Sequence, residues 1–318
     1  MLIWGGFLIF IFFLLALDLG VFHKRSHVVS AREAMGWTTL WVSLSLLFSI
    51  AIYYMYENDI IANDMTGGRA VLKYLSGYLV EQSLSMDNIF VIAMIFNYFK
   101  VPAAYQHRVL FWGILGAIFF RGVMIALGIV LIHKFYWMTY VFGVLLLYSA
   151  WKMLKPGEEV EPNKNPTIKL VKRFFPVSKH YDGENFFVRR RHILAATPLF
   201  IALVAVETTD IMFAFDSIPA IFAITTDPFI VFTSNIFAIL GLRSLYFVLA
   251  AFLDRFQYLK YSLVAILFFV GIKMMLQRHI EYPEWLSLTF ILVSLLTGTL
   301  VSHWITKRKE AKGLSAEE

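Results

Sequence analysis

The sequence predicts an all-α integral membrane protein of about nine transmembrane helices, with the N-terminus outside and the C-terminus inside. Three observations predict it. Of 318 residues, 59% are hydrophobic and only 16% charged, against roughly 45–50% and about 25% in ordinary soluble domains. Nine apolar segments can each cross a hydrocarbon core of about 30 Å, which takes roughly 20 helical residues. The basic residues gather in alternate loops, as they do on the cytoplasmic side of membrane proteins. That distribution argues against nucleic acid as a partner, despite a net charge of +6 and a pI near 9.3. The chain has no cysteine, so disulfides, thiolate metal sites and a cysteine nucleophile are excluded.

The first segment, near 3–22, lies in "MLIWGGFLIFIFFLLALDLGVF". No Lys or Arg precedes it, it is longer than a signal-peptide core, and it shows no cleavage site, so it reads as a retained first helix. The others lie near 36–56, 71–97, 108–132, 136–154, 193–222, 229–252, 258–277 and 285–305. Lys24, Arg25 and Arg32 follow the first segment, and Lys100 and Arg108 follow the third. The longest loop, 155–192, carries Lys155, Lys164, Lys169, Lys172, Arg173 and Lys179, and the tail carries Lys307, Arg308, Lys309 and Lys312. The intervening loops "ENDIIANDMTGGR", "HKFY", "TTDP" and "QRHIEYPE" are poorer in basic residues. The 155–192 loop, with Pro156, Pro162 and Pro166, reads as a solvated linker; "TIKLVKRFFPV" is its one stretch suited to an interface.

The third to fifth segments resemble the sixth to eighth. "LLLYSAWKML" matches "AILFFVGIKMML" and pairs Lys152 with Lys273. "GAIFFRGVMIALG" matches "AILGLRSLYFVLA" and pairs Arg121 with Arg243, while "MDNIFV" matches "TDIMFA" and pairs Asp87 with Asp210. The offset is nearly constant. A unit with an odd number of spans must insert its two copies in opposite orientations, so 71–154 and 193–277 read as an inverted repeat flanking the 155–192 loop in one transmembrane domain. Such repeats are common in secondary transporters, with the site at their interface.

Glu81 and Asp87 lie in the third segment, and Glu207, Asp210 and Asp216 in the sixth. An acid at a helix centre costs roughly 2.5–3.5 kcal/mol, so five would cost on the order of 10–15 kcal/mol if uncompensated. Arg121 and Arg243 offset two of the five charges and leave −3. A bound divalent cation and a proton complete the balance. At 100° per residue, Glu81, Ser85 and Asn88 share one face, as do Glu207, Asp210 and Ser217. Asp216 points away, so a break in the helix ahead of Pro219 is expected to bring it in, because proline frees the carbonyl of Phe215. Carboxylate, amide and carbonyl oxygens suit Mg, Ca or Mn, and every histidine lies in a loop or near a helix end. No Walker motif and no activated nucleophile are evident, so neither ATP coupling nor an enzyme activity is expected.

The blocks "EQSLSMDNIFVIAMIFNYFKVP", "VETTDIMFAFDSIPAIFAITTDPFIVFTSNIFAILGLRSLYF" and "FVGIKMML" resemble the TerC family of integral membrane proteins, named for tellurium resistance. "DLGVF" and "WVSLSLLF" extend the likeness over nearly the whole chain, which is most similar to the manganese-exporting, Alx-like branch. The resemblance implies a transporter-like helical fold in the bacterial cytoplasmic (inner) membrane. It implies Glu81, Asp87, Asn88, Glu207, Asp210 and Asp216 as metal-site residues. Arg121 and Arg243 are expected to couple charge. The expected function is secondary-active, proton-coupled export of Mn2+ as transported ion, with protons and the lipid bilayer as partners and no permanently bound cofactor. The alternatives are a membrane-embedded assembly factor or scaffold, or a tellurium-resistance component without ion transport.

Overall fold

Each of the nine apolar segments contains a helix in the computed structural model, which describes residues 2–17, 30–61, 65–135, 137–154, 166–178, 180–190, 193–250, 259–277, 279–280 and 282–311. In chain order the elements are α1 (Leu2–Leu17), α2 (Ala31–Glu57), α3 (Gly67–Phe99), α4 (Ala103–Lys134), α5 (Met138–Leu154), α6 (Pro166–Phe174), β1 (Phe187–Arg190), β2 (Ile193–Ala196), α7 (Pro198–Phe222), α8 (Pro228–Ala250), α9 (Leu259–Leu276) and α10 (Glu284–Ala311). Among the described residues, α2, α3, α4, α7, α8 and α10 are long and apolar enough to cross a membrane; α1 and α5 are shorter apolar helices. The protein is therefore an all-α integral membrane protein in its main architecture. Lys24, Arg25, Lys155, Lys164, Lys179 and Lys312, used above to orient the chain, lie outside the described residues, as do 18–22 of the first segment.

The helix ends follow from local chemistry. Ser30 caps α2, its Oγ accepting the Glu33 N–H. Lys100 turns the chain out of α3 in the left-handed region, with φ 52° and ψ 46°, and Pro102 then precedes α4. Asp227 caps α8: its Oδ1 accepts the N–H groups of Phe229 and Ile230, both at 3.0 Å. The same oxygen accepts the Tyr56 hydroxyl at 2.7 Å, which ties the end of α2 to the start of α8.

Two expectations need correction. The sixth segment does not begin as a helix at 193: Ile193–Ala196 is β2, antiparallel to β1, with Phe187 opposite Ala196 and Arg190 opposite Ile193. The cause is Pro198. Its ring disfavours helical geometry at the residue before it, and Thr197 is extended at φ −86° and ψ 163°, so α7 starts only at the proline. The loop ahead of it is also more than a solvated linker. Ile168 of α6 is fully buried, while Lys169 and Arg173 on the opposite side are exposed. The Tyr181 hydroxyl donates to the Phe99 carbonyl at 2.7 Å, pinning this segment to the end of α3. Burial raises that phenol above its ordinary range, so it remains a donor at neutral pH.

The buried centre is α8, packed between α2, α3 and α4. α3 lies on α8 as α7 lies on α4; α3 meets α7, α4 meets α8, and α5 meets α9. This pattern is unchanged when α3, α4 and α5 are exchanged for α7, α8 and α9. Close approach at the α5–α9 crossing depends on two glycines. A Cβ on either Gly143 or Gly271 would come within 3.2 Å of the other's carbonyl oxygen, the small-residue contact that lets membrane helices pack without a hydrophobic driving force. Phe119, Leu127 and Val130 on α4, and Val144, Tyr148 and Trp151 on α5, point outward and supply an apolar surface suited to lipid.

Candidate cation site

The polar centre of the bundle is built around Arg121. Its position in the middle of α4, where α4 meets α7 and α8, leaves the side chain 1% exposed. A guanidinium has five donors and cannot shed its charge, so burial there requires acceptors on every side. Four side chains supply them. Glu81 of α3 forms an ion pair with Nη1. Asp210 of α7 accepts from Nη2 at 3.0 Å and from Nε at 3.4 Å, the two-pronged geometry that makes Arg–carboxylate pairs strong. Asn235 of α8 accepts from Nη1 at 3.2 Å, and Ser217 of α7 lies 3.5 Å from the same nitrogen. The Asn235 Nδ2 donates to the Val231 carbonyl at 3.1 Å, which fixes the amide oxygen toward Arg121. Asp210 and Ser217 are seven residues apart and so share a helix face. The group holds two carboxylates and one guanidinium, a net −1.

The other expected residues make different contacts. Asn88 is buried on the Glu81 face of α3, and its Oδ1 has no hydrogen-bond partner; the Ser85 Oγ on that face is likewise without one. Unsatisfied buried oxygens are uncommon in native proteins, and each calls for a physical explanation. Glu207, half-buried on α7, lies against Gly116 of α4, with its Oε2 buried and unpartnered. Asp87 is half-buried on α3, within electrostatic reach of Lys260 on α9. Arg243, 4% exposed, has an Nη1 3.1 Å from the His107 Nε2. Arg243 and Asp210 also line one cavity, together with Ile92, Leu110, Ile114 and Leu242.

The expected convergence of Asp87, Asp210 and Asp216 on one ion is not what the structure shows. Among the described residues, no three His, Asp or Glu side chains form a metal-ligating group. The reason lies at Pro219. α7 runs unbroken from Pro198 to Phe222 with Pro219 inside it. The one hydrogen bond lost lies near the helix end, where residues 217 to 222 are all buried and packing holds the turn. Six helical residues then separate Asp210 from Asp216 by about 240°. Asp216 therefore faces α5, where its Oδ1 accepts the Ser149 hydroxyl at 2.5 Å. Asp87 and Asp210 do not pair either, since Arg121 takes Asp210. Sequence reasoning missed Asn235. Its signal was visible as an amide within the apolar run "TSNIFAILGLR", but it has no polar counterpart in the other repeat.

The family model described as "Integral membrane protein TerC family" matches residues 66–310. The chain belongs to the TerC family. The match covers α3 through nearly all of α10, and with them every residue around Arg121. Relatives of the chain span almost the same length. An uncharacterised membrane protein of Myxococcus xanthus is 46% identical over 307 residues, covering 96% of this chain and 93% of its own. One from Rickettsia bellii is 45% identical over 300 residues, covering 94% and 96%. A protein of Escherichia coli strain K12, described as "Putative membrane-bound redox modulator Alx", is 44% identical over 316 residues, covering 97% and 96%. No solved structure matches the chain.

Proposed function

We propose that this TerC family protein is a secondary-active exporter of divalent cations in the bacterial cytoplasmic membrane, with Mn2+ as the transported ion and protons as the coupling ion. The observation that carries the reading is the occupant of the polar centre. Arg121 is a cation held by Glu81, Asp210, Ser217 and Asn235. These are hard oxygen donors of the kind that suit Mn, Mg or Ca. Two carboxylates are neutralised equally by one divalent ion or by a guanidinium and one proton. The tethered guanidinium thus stands in for the cargo: either filling neutralises the two carboxylates, and the displaced Arg121, which keeps its charge, then needs another acid, for which Glu207 on α7 is unpartnered at its Oε2. That matters because an uncompensated charge at membrane depth costs several kcal/mol.

The exchange-symmetric packing of α3–α5 with α7–α9 supports an inverted repeat of 71–154 and 193–277, rocking about a site that both halves build. Asp87, Asn88, Glu207 and Asp216 then serve the cation on either side of the central position, and Arg243 is the second charge-coupling group. The E. coli relative's name refers to redox; with no cysteine in this chain, such an effect would act here through metal supply and not through a thiol couple.

Reporter fusions at residue 165 and after residue 310 are expected to read cytoplasmic alike; opposite signals would overturn the nine-span orientation. The test of the function is a panel of divalent ions offered to purified protein in liposomes. Mn2+ is expected to be carried in preference to Mg2+ and Ca2+. Liposomes that carry none of the panel would contradict the reading.

A further inference from the structure

α4 presents glycines to α7 at positions 113 and 116, and the two are not alike. A Cβ on Gly113 would sit 3.5 Å from the Val206 Cγ1, an ordinary contact. The three atoms nearest a Cβ on Gly116 would all belong to Glu207, its Cδ and both carboxylate oxygens, the far end of a flexible side chain, and all three would collide with it. The helix crossing itself therefore has room for a side chain at 113. What requires glycine at 116 is the carboxylate.

The Glu207 carboxylate rests on a bare Cα, with its Oε2 buried and unpartnered. Three residues along α7, about 4.5 Å of rise, Asp210 is committed to Arg121. Glu81 is committed to the same guanidinium, and Asp216 accepts from Ser149. Of the carboxylates on α7, Glu207 alone makes no hydrogen bond or ion pair among the described residues.

We propose that Gly116 is a positioning residue: its missing side chain forms a seat that holds the Glu207 carboxylate one turn from the Arg121 group, available to a divalent cation. The cation part rests on the function proposed above; the seat does not. A methyl group at 116 displaces the flexible end of Glu207 and leaves the backbone in place, so Gly116→Ala inserts and folds normally with its carboxylate moved.

Infrared difference spectra between the wild type and Glu207→Gln isolate the Glu207 carboxyl band. The same difference taken in a Gly116→Ala background is expected to show the band at a shifted frequency, and in a Gly113→Ala background at the original one. In liposomes, Gly116→Ala is expected to raise the half-saturating Mn2+ concentration roughly 10–100-fold, as loss of a residue that positions a ligand does. A band at the same frequency in wild-type and Gly116→Ala backgrounds overturns the seat, as does an equal shift from Gly113→Ala. If wild-type liposomes carry no Mn2+, the transport reading falls and the band alone decides the seat.

Discussion

Arg121→Ala is expected to cost about 3–5 kcal/mol of folding free energy, the usual consequence of removing one partner from a buried ion pair. The substitution leaves Glu81 and Asp210 facing each other without the guanidinium that holds both. Arg121→Lys keeps the charge but not the fork. An ammonium is a point charge with three donors, and it cannot meet four acceptors spread over α3, α7 and α8. The loss is electrostatic, so it is reversible by charge. The triple variant Arg121→Ala, Glu81→Gln, Asp210→Asn should regain most of the stability while remaining inactive. Denaturant titration of the purified proteins in detergent measures all three. An Arg121→Ala protein as stable as the wild type would show that the pair network does not hold the centre together.

Asp210→Asn is expected to abolish Mn2+ transport without unfolding the protein. The arithmetic is opposite to that at Arg121. Neutralising Asp210 leaves one carboxylate, Glu81, against one guanidinium, a balanced pair that needs no proton. The resting centre is therefore no worse compensated than before, and abundance should be equal or higher. The cation-filled state suffers instead, because one carboxylate cannot neutralise a divalent ion. Mn2+ affinity should fall by more than the roughly 10–100-fold that loss of an outer-shell partner alone costs. Glu81→Gln should behave alike. The two together should be unstable, since they leave a buried guanidinium with no carboxylate. Mass spectrometry of cellular manganese, alongside quantified membrane abundance, separates the two effects. Full export by the single variants would end the assignment of Glu81 and Asp210 to the cation.

Much of this was legible in the sequence, and for physical reasons. Spans longer than about 20 apolar residues have few alternatives to helices in lipid, so segments such as 71–97 and 229–252 reappear as α3 and α8. Acids at membrane depth are costly enough to mark a site, and Glu81, Asp210 and Arg121 do meet. Failures occurred where local chemistry competed with periodicity. Apolar content extended the sixth segment back to 193, but the restraint that Pro198 places on Thr197 turned "ILAA" into a strand. Pro219 suggested a break that burial of the flanking turn prevents, and with the helix intact Asp216 turned toward Ser149. Asn235 was hidden because amide groups carry no charge to balance. The glycine at 116 was hidden because its meaning depends on which atom of α7 lies opposite.

On the proposed function, the pair of carboxylates holds either a divalent cation or Arg121 with a proton. The most direct test is the proton movement that accompanies Mn2+ in sealed liposomes holding purified protein and a trapped pH indicator. Mn2+ entering down its gradient is expected to drive protons out, an imposed pH gradient to drive Mn2+ uphill, and Asp210→Asn to abolish both. Mn2+ flux with no proton movement, or flux that persists in Asp210→Asn, would contradict the proposed function.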